Sequence, residues 1–103
     1  MSAADGGAIQ ILYALQNELE GAVSAKGAAG PGMGPLAGRL LDGLKREGAN
    51  AKTLRRAESI LLDLQRVEMS KRAGDGKHVP LLVSCRDAAR MIGADYKKSG
   101  GFA

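Results

Sequence analysis

Residues 50–72, NAKTLRRAESILLDLQRVEMSKR, lie in the longest stretch of the chain without Gly or Pro, and this constrains the fold more than any other feature. Asn50 offers a side-chain oxygen to an amide of the first helical turn, which otherwise has no acceptor. Gly74 and Gly76 stop the run, and Lys71 and Arg72 place cations at the negative end of the helix dipole. At about 100° per residue, Leu54, Ala57, Ile60, Leu61, Leu64 and Val67 fall within one arc of about 140°. Lys52, Arg55, Arg56 and Arg66 lie opposite, with Ser59 and Asp63 among them. Leu62 and Met69 make a smaller apolar stripe off the main face. The expectation is a helix of about six turns, about 33 Å long, with a core side, a basic side and a spare apolar seam.

The rest of the chain reads as helices arranged around this one. Ala8, Leu12, Leu15, Leu19 and Ala22 alternate in steps of four and three, the spacing of a packed helix seam, over about residues 8–26. Residues 27–35 belong to a Gly-rich connector whose Pro35 suits the first position of the next helix. Leu36, Leu40 and Leu44 continue that helix to Glu47, and Gly48 ends it. The joint to the long helix is so short that it forces a sharp corner or a tight return. Beyond Arg72, AGDGKHVP reads as a loop and residues 79–83 as an extended lead-in. Ser84, with Asp87 three residues on, then caps a short last helix that Gly93 terminates. The expected fold is all-α: a small helical bundle of three main helices and a short C-terminal helix. The chain reads as a single helical domain over 1–103, with a flexible N-terminus (1–7) and a mobile tail (94–103).

Composition narrows the function. Tyr13, Tyr96 and Phe102 are the only aromatics, so the core must be built from Leu, Ile and Ala, which suits helix packing. No apolar run approaches the length of a membrane span, and the first residues, MSAADGG, lack a signal-peptide pattern, so the expected location is cytoplasmic without membrane insertion. A single His78 and a single Cys85 do not make a zinc site within one chain. A nucleophile–base pair between them would need chance tertiary contact. No catalytic residue, metal or cofactor is therefore expected, and the chain reads as non-enzymatic. The net charge of +4 is uneven: residues 1–51 carry four Lys/Arg against five Asp/Glu, whereas residues 52–103 carry eleven against six. The basic half suits an anionic partner.

The run from Glu47 to Ala57, EGANAKTLRRA, resembles the turn and recognition-helix start of helix-turn-helix regulators. In that motif a Gly makes the turn, a polar residue caps the second helix, and its first residues reach bases and phosphates. Gly48 would be the turn glycine and Asn50 the cap, and the resemblance implies that Lys52, Thr53, Arg55 and Arg56 face nucleic acid. Leu44 and Glu47 depart from the pattern, which usually carries a small and an aliphatic residue at those places. Residues 84–94, SCRDAARMIGA, resemble the first helix and turn of the same class without the helix that should follow.

Two functions follow as expectations. The leading one is a small nucleic-acid-binding regulatory protein, DNA ahead of RNA, using Lys52, Thr53, Arg55, Arg56 and Arg66. The alternative is an oligomeric helical protein–protein interaction module, an adaptor, assembly component or inhibitor. In that reading Leu62 and Met69 form the interface, and a homodimer is expected because small domains gain stability by pairing apolar surface.

Overall fold

In the computed structural model, which describes residues 7–25 and 32–102, four helices follow one another. They are α1 (Ala8–Ser24), α2 (Met33–Arg46), α3 (Ala51–Ala73) and α4 (His78–Ser99). No strand occurs among the described residues. Most of the leader and of the Gly-rich connector lie outside them. Each helix packs on its neighbour in sequence, and α4 returns to pack on α1, closing a ring of four. Neighbours run antiparallel: Gly43 near the end of α2 meets Ala8 at the start of α1, and Gly93 late in α4 meets Leu12 early in α1.

The core fills the centre of the ring. Leu12, Leu15 and Leu19 of α1, Leu40 and Leu44 of α2, Ile60 of α3 and Leu82 and Ile92 of α4 are all fully buried. Each such side chain is worth about 2 kcal/mol in area removed from water. Only small residues let α1 and α2 approach as they do. A Cβ on Gly43 would stand 3.3 Å from the Cβ of Ala8, a tight contact that needs the two helices to give by a few tenths of an ångström.

Helix α3 follows its sequence signals closely. The Asn50 Oδ1 accepts from the Thr53 amide at 2.9 Å, and Gly74 ends the helix in the left-handed region at φ +68°. Helix α2 begins two residues before Pro35, which therefore sits in the first turn rather than at its first position. Its missing N–H costs nothing there, because first-turn amides have no intrahelical acceptor.

The C-terminal third differs most from the sequence reading. The fourth helix is not short: it runs for 22 residues from His78, and Ser84 lies within it rather than capping it. Two local devices start it early. Asp75 accepts from the Ser70 hydroxyl and from the Lys77 amide, closing the turn after α3. Pro80 then falls in the first turn of α4, where proline is tolerated for the reason that applies to Pro35. Gly93 does not end the helix, because it is buried against α1 and packing outweighs its backbone entropy, about 1 kcal/mol relative to Ala. Residues 94–99, expected in a mobile tail, are helical. Gly100 reverses the chain at φ +73°, and Phe102 folds back into the core with its ring 4.6 Å from that of Tyr96.

Phe102 closes the bundle at the α2–α3 corner. Its carbonyl accepts from the Asn50 amide at 3.0 Å and from Asn50 Nδ2 at 3.3 Å. Asn50→Ala should lower the unfolding free energy by about 1–2 kcal/mol, seen as a lower urea midpoint at unchanged slope. Asn50→Asp, which keeps the capping oxygen and loses the Nδ2 donor, should lose less. Equal midpoints for Asn50→Ala and the parent chain would show that this corner contributes nothing.

Candidate interaction face on the α3–α4 hairpin

The five cationic and polar positions expected on one basic face separate in three dimensions. Thr53 is not on a nucleic-acid-facing surface: it is only 1% exposed. It stands four and seven residues before Ala57 and Ile60, the helical spacing of the core side. Arg56 turns toward α4 and pairs with Asp95, and Lys52 reaches the same carboxylate at 3.7 Å. Arg66 is exposed and lies 3.3 Å from Asp63 one turn before it, a surface pair worth about 0–1 kcal/mol. Arg55 is exposed and has no anionic partner among the described residues.

The two apolar positions behave as the sequence indicates. Leu62 is 54% and Met69 69% exposed. They share the outward stripe of α3 with Arg55 and Arg66, because the spacing 55, 62, 66, 69 keeps one side of a helix. The basic side and the apolar seam are one mixed surface. Helix α4 extends it with Met91, 48% exposed. Between the helices runs a shallow groove, with Arg56 and Ser59 on one bank and Ser84, Ala88 and Met91 on the other. Toward the turn it widens into a mainly apolar cleft of Met69, Ala73, Pro80 and Leu81, rimmed by Arg66 and Lys77.

The sequence alone places neither Met91 nor Pro80 on this surface: Pro80 reads as loop, and Met91 lies in an expected short helix whose packing partner no local signal identifies. The spacing of Leu82, Cys85, Ala89 and Ile92, in steps of three and four, was the signal for a helix running through Ser84. The Ser70–Asp75 contact is the joint beneath the cleft. It holds the Asp75 carboxyl below its ordinary range, first through the Ser70 hydroxyl and then through the Lys77 amide.

Other reactive groups stand apart. Cys85 is buried in the core with its Sγ 3.8 Å from the Ile60 carbonyl. His78 lies about two turns away along the same helix, about 10 Å in rise, beyond hydrogen-bond reach. Burial, reinforced by the Asp63 charge, pushes the Cys85 thiol up to about 12. The Glu47 carboxylate accepts from the Ala8 amide at 2.7 Å and so caps α1 from the adjoining end of α2. No group of three or more His, Cys, Asp or Glu side chains suited to a metal ion occurs among the described residues. No described helix is long and apolar enough to cross a membrane.

No protein-family model, curated protein or solved structure matches the chain.

Cys85 gives a pH-dependent expectation. Its thiol ionises near 9 when unfolded and near 12 when folded, so the unfolded state releases its proton first. The stability this group contributes is complete below pH 9 and falls as pH rises from there toward 12. Cys85→Ala should flatten the alkaline decline in urea midpoint. At pH 8 the native thiol should react with a disulfide reagent only as fast as the chain opens.

Proposed function

We propose that this chain is a helical protein–protein interaction module that docks through the outer face of the α3–α4 hairpin. One observation carries the reading. Of the four large apolar side chains exposed among the described residues, Leu62, Met69 and Met91 all belong to this hairpin; Tyr13 lies on α1. Scattered exposed apolar residues are ordinary, but several collected beside an apolar cleft mark a surface that gains by being covered. The long arginine side chains on the same stripe favour recognition. Their stems add contact area while their guanidinium groups fix orientation.

The test replaces Leu62 and Met69 by Glu. Both side chains are exposed, so stability should change by no more than about 0.5 kcal/mol, while cross-linked adducts of the parent chain in native extract should disappear. A folded L62E/M69E variant that retains every adduct would exclude this face.

A second reading, nucleic-acid binding by a regulatory protein, draws on a separate observation. The half of the chain that forms α3 and α4 carries an excess of five positive charges. Arg55, Lys71, Arg72 and Lys77 are exposed on it. DNA would be contacted mainly through its phosphates. Neutralising four of them gives a log–log salt dependence of about −3.6 on duplex. In that case Arg55→Glu with Arg72→Glu should abolish binding measured by fluorescence anisotropy. Absence of binding to duplex DNA, single-stranded DNA and RNA at low salt would exclude this second reading. The support from Thr53 and Arg56 that the helix-turn-helix resemblance supplied is gone, since one is buried and the other is engaged with Asp95.

A further inference from the structure

The outward ridge of α3 has a pattern that an undirected sticky surface would not need. Glu58, Leu62 and Arg66 follow at four-residue steps, so they form one oblique ridge of side chains: an anion, an apolar centre and a cation. All three are exposed. Among the described residues Glu58 has no cationic partner, and Arg66 has only the weak surface contact with the Asp63 carboxylate. Arg55 and Met69 flank Leu62 on the same stripe at seven residues on either side.

Such a ridge is complementary to itself. Where ridges of four-residue spacing pack beside each other, two helices cross at about −50°, the commonest helix-packing class. Place a two-fold axis beside Leu62, with the second α3 antiparallel. The ridges then lie parallel, and Leu62 meets its copy at the centre. Each Arg66 comes level with the Glu58 of the other chain. An isologous contact of this kind closes after two copies. We propose that α3 pairs with α3 of a second copy of this chain, centred on Leu62 and keyed by reciprocal Glu58–Arg66 ion pairs.

This deepens the interaction-module reading by naming the partner, and it rests on that reading. Charge decides against a featureless apolar contact. Glu58 and Arg66 cancel locally on the ridge, whereas Lys71, Arg72 and Lys77 near the α3–α4 turn lie away from the axis in the antiparallel arrangement. The pairing therefore brings opposite charges together at its centre and holds the basic ends of the two hairpins apart.

Sedimentation velocity on the full chain tests the register. At a concentration on the order of 100 µM, well above a micromolar Kd, the parent chain should sediment as a dimer. Glu58→Arg alone and Arg66→Glu alone should each weaken dimerisation by about tenfold or more, because each places like charges together. The double variant E58R/R66E should regain the dimer. Circular dichroism should show unchanged helicity for all three, since both positions are exposed. A monomeric parent chain overturns the proposal. So does a pair of weakened single variants that the double variant fails to rescue, since this removes the stated register.

A benzophenone amino acid at Gln65, exposed beside the ridge, separates this inference from the broader reading. Adducts of twice the chain mass support self-pairing. Adducts only with other proteins overturn it and leave the interaction module standing, and no adducts at all overturn both.

Discussion

Asn50 ties together three parts of the chain that are distant in sequence. Its side-chain oxygen caps α3, its amide and Nδ2 both donate to the Phe102 carbonyl, and it is the last residue of the joint from α2. Helix α3 cannot shift along its axis without breaking these contacts, and α4 is held through the residues that lead to Phe102. The direction in which α3 presents Leu62, Met69, Arg55 and Arg66 follows from this anchor. With the start of α3 fixed against the C-terminus and the burial of Ala57, Ile60, Leu64 and Val67 fixing its rotation, the opposite stripe has to face outward.

The same anchoring explains why the apparent recognition-helix start does not offer a free surface. The helix-turn-helix resemblance rested on Gly48, Asn50 and the residues that follow. The glycine does make a left-handed turn, at φ +72°, and Asn50 does cap. These features are equally those of a bundle corner. Here Phe102 sits on the corner, Thr53 points into the core, and Lys52 and Arg56 bracket Asp95 of α4. Charges that looked like a solvent stripe in one dimension partly hold two helices together. Glu47 is a similar case. Where the motif carries an aliphatic residue, its carboxylate caps the adjoining start of α1.

The surface at the α3–α4 hairpin combines what these constraints leave over. α3 has 23 residues and α4 has 22, whereas α1 has 17 and α2 has 14. The shorter pair cannot flank the longer pair along its whole length. Apolar side chains toward the α3–α4 turn therefore find less cover, and Met69, Pro80 and Leu81 line an open cleft there. At its end the Ser70–Asp75 contact closes the turn between the two helices. Backbone already helical beneath exposed apolar side chains reduces the ordering cost of association, and this supports the proposal for this face.

Much of the helical character was legible from local pattern alone. The spacing of apolar residues, the Asn50 cap and Gly74 defined α3 to within a residue, and the four-three steps of Ala8 to Ala22 defined α1. Such signals are local because helix hydrogen bonds and caps close within a few residues. The sequence also identified Leu62 and Met69 as surplus to the core, since periodicity separates a core side from the rest. What it could not decide was which polar residues remain free. Arg56 and Asp95 are far apart in the chain, as are Glu47 and Ala8, and neither pairing leaves a local trace. Nor could local rules decide where α4 begins and ends. Pro80, Ser84 and Gly93 each read as a boundary, yet the helix passes through all three. Burial of Leu82, Cys85, Ala89 and Ile92 against the other helices outweighs those local preferences, and only the tertiary structure supplies the surfaces they pack against.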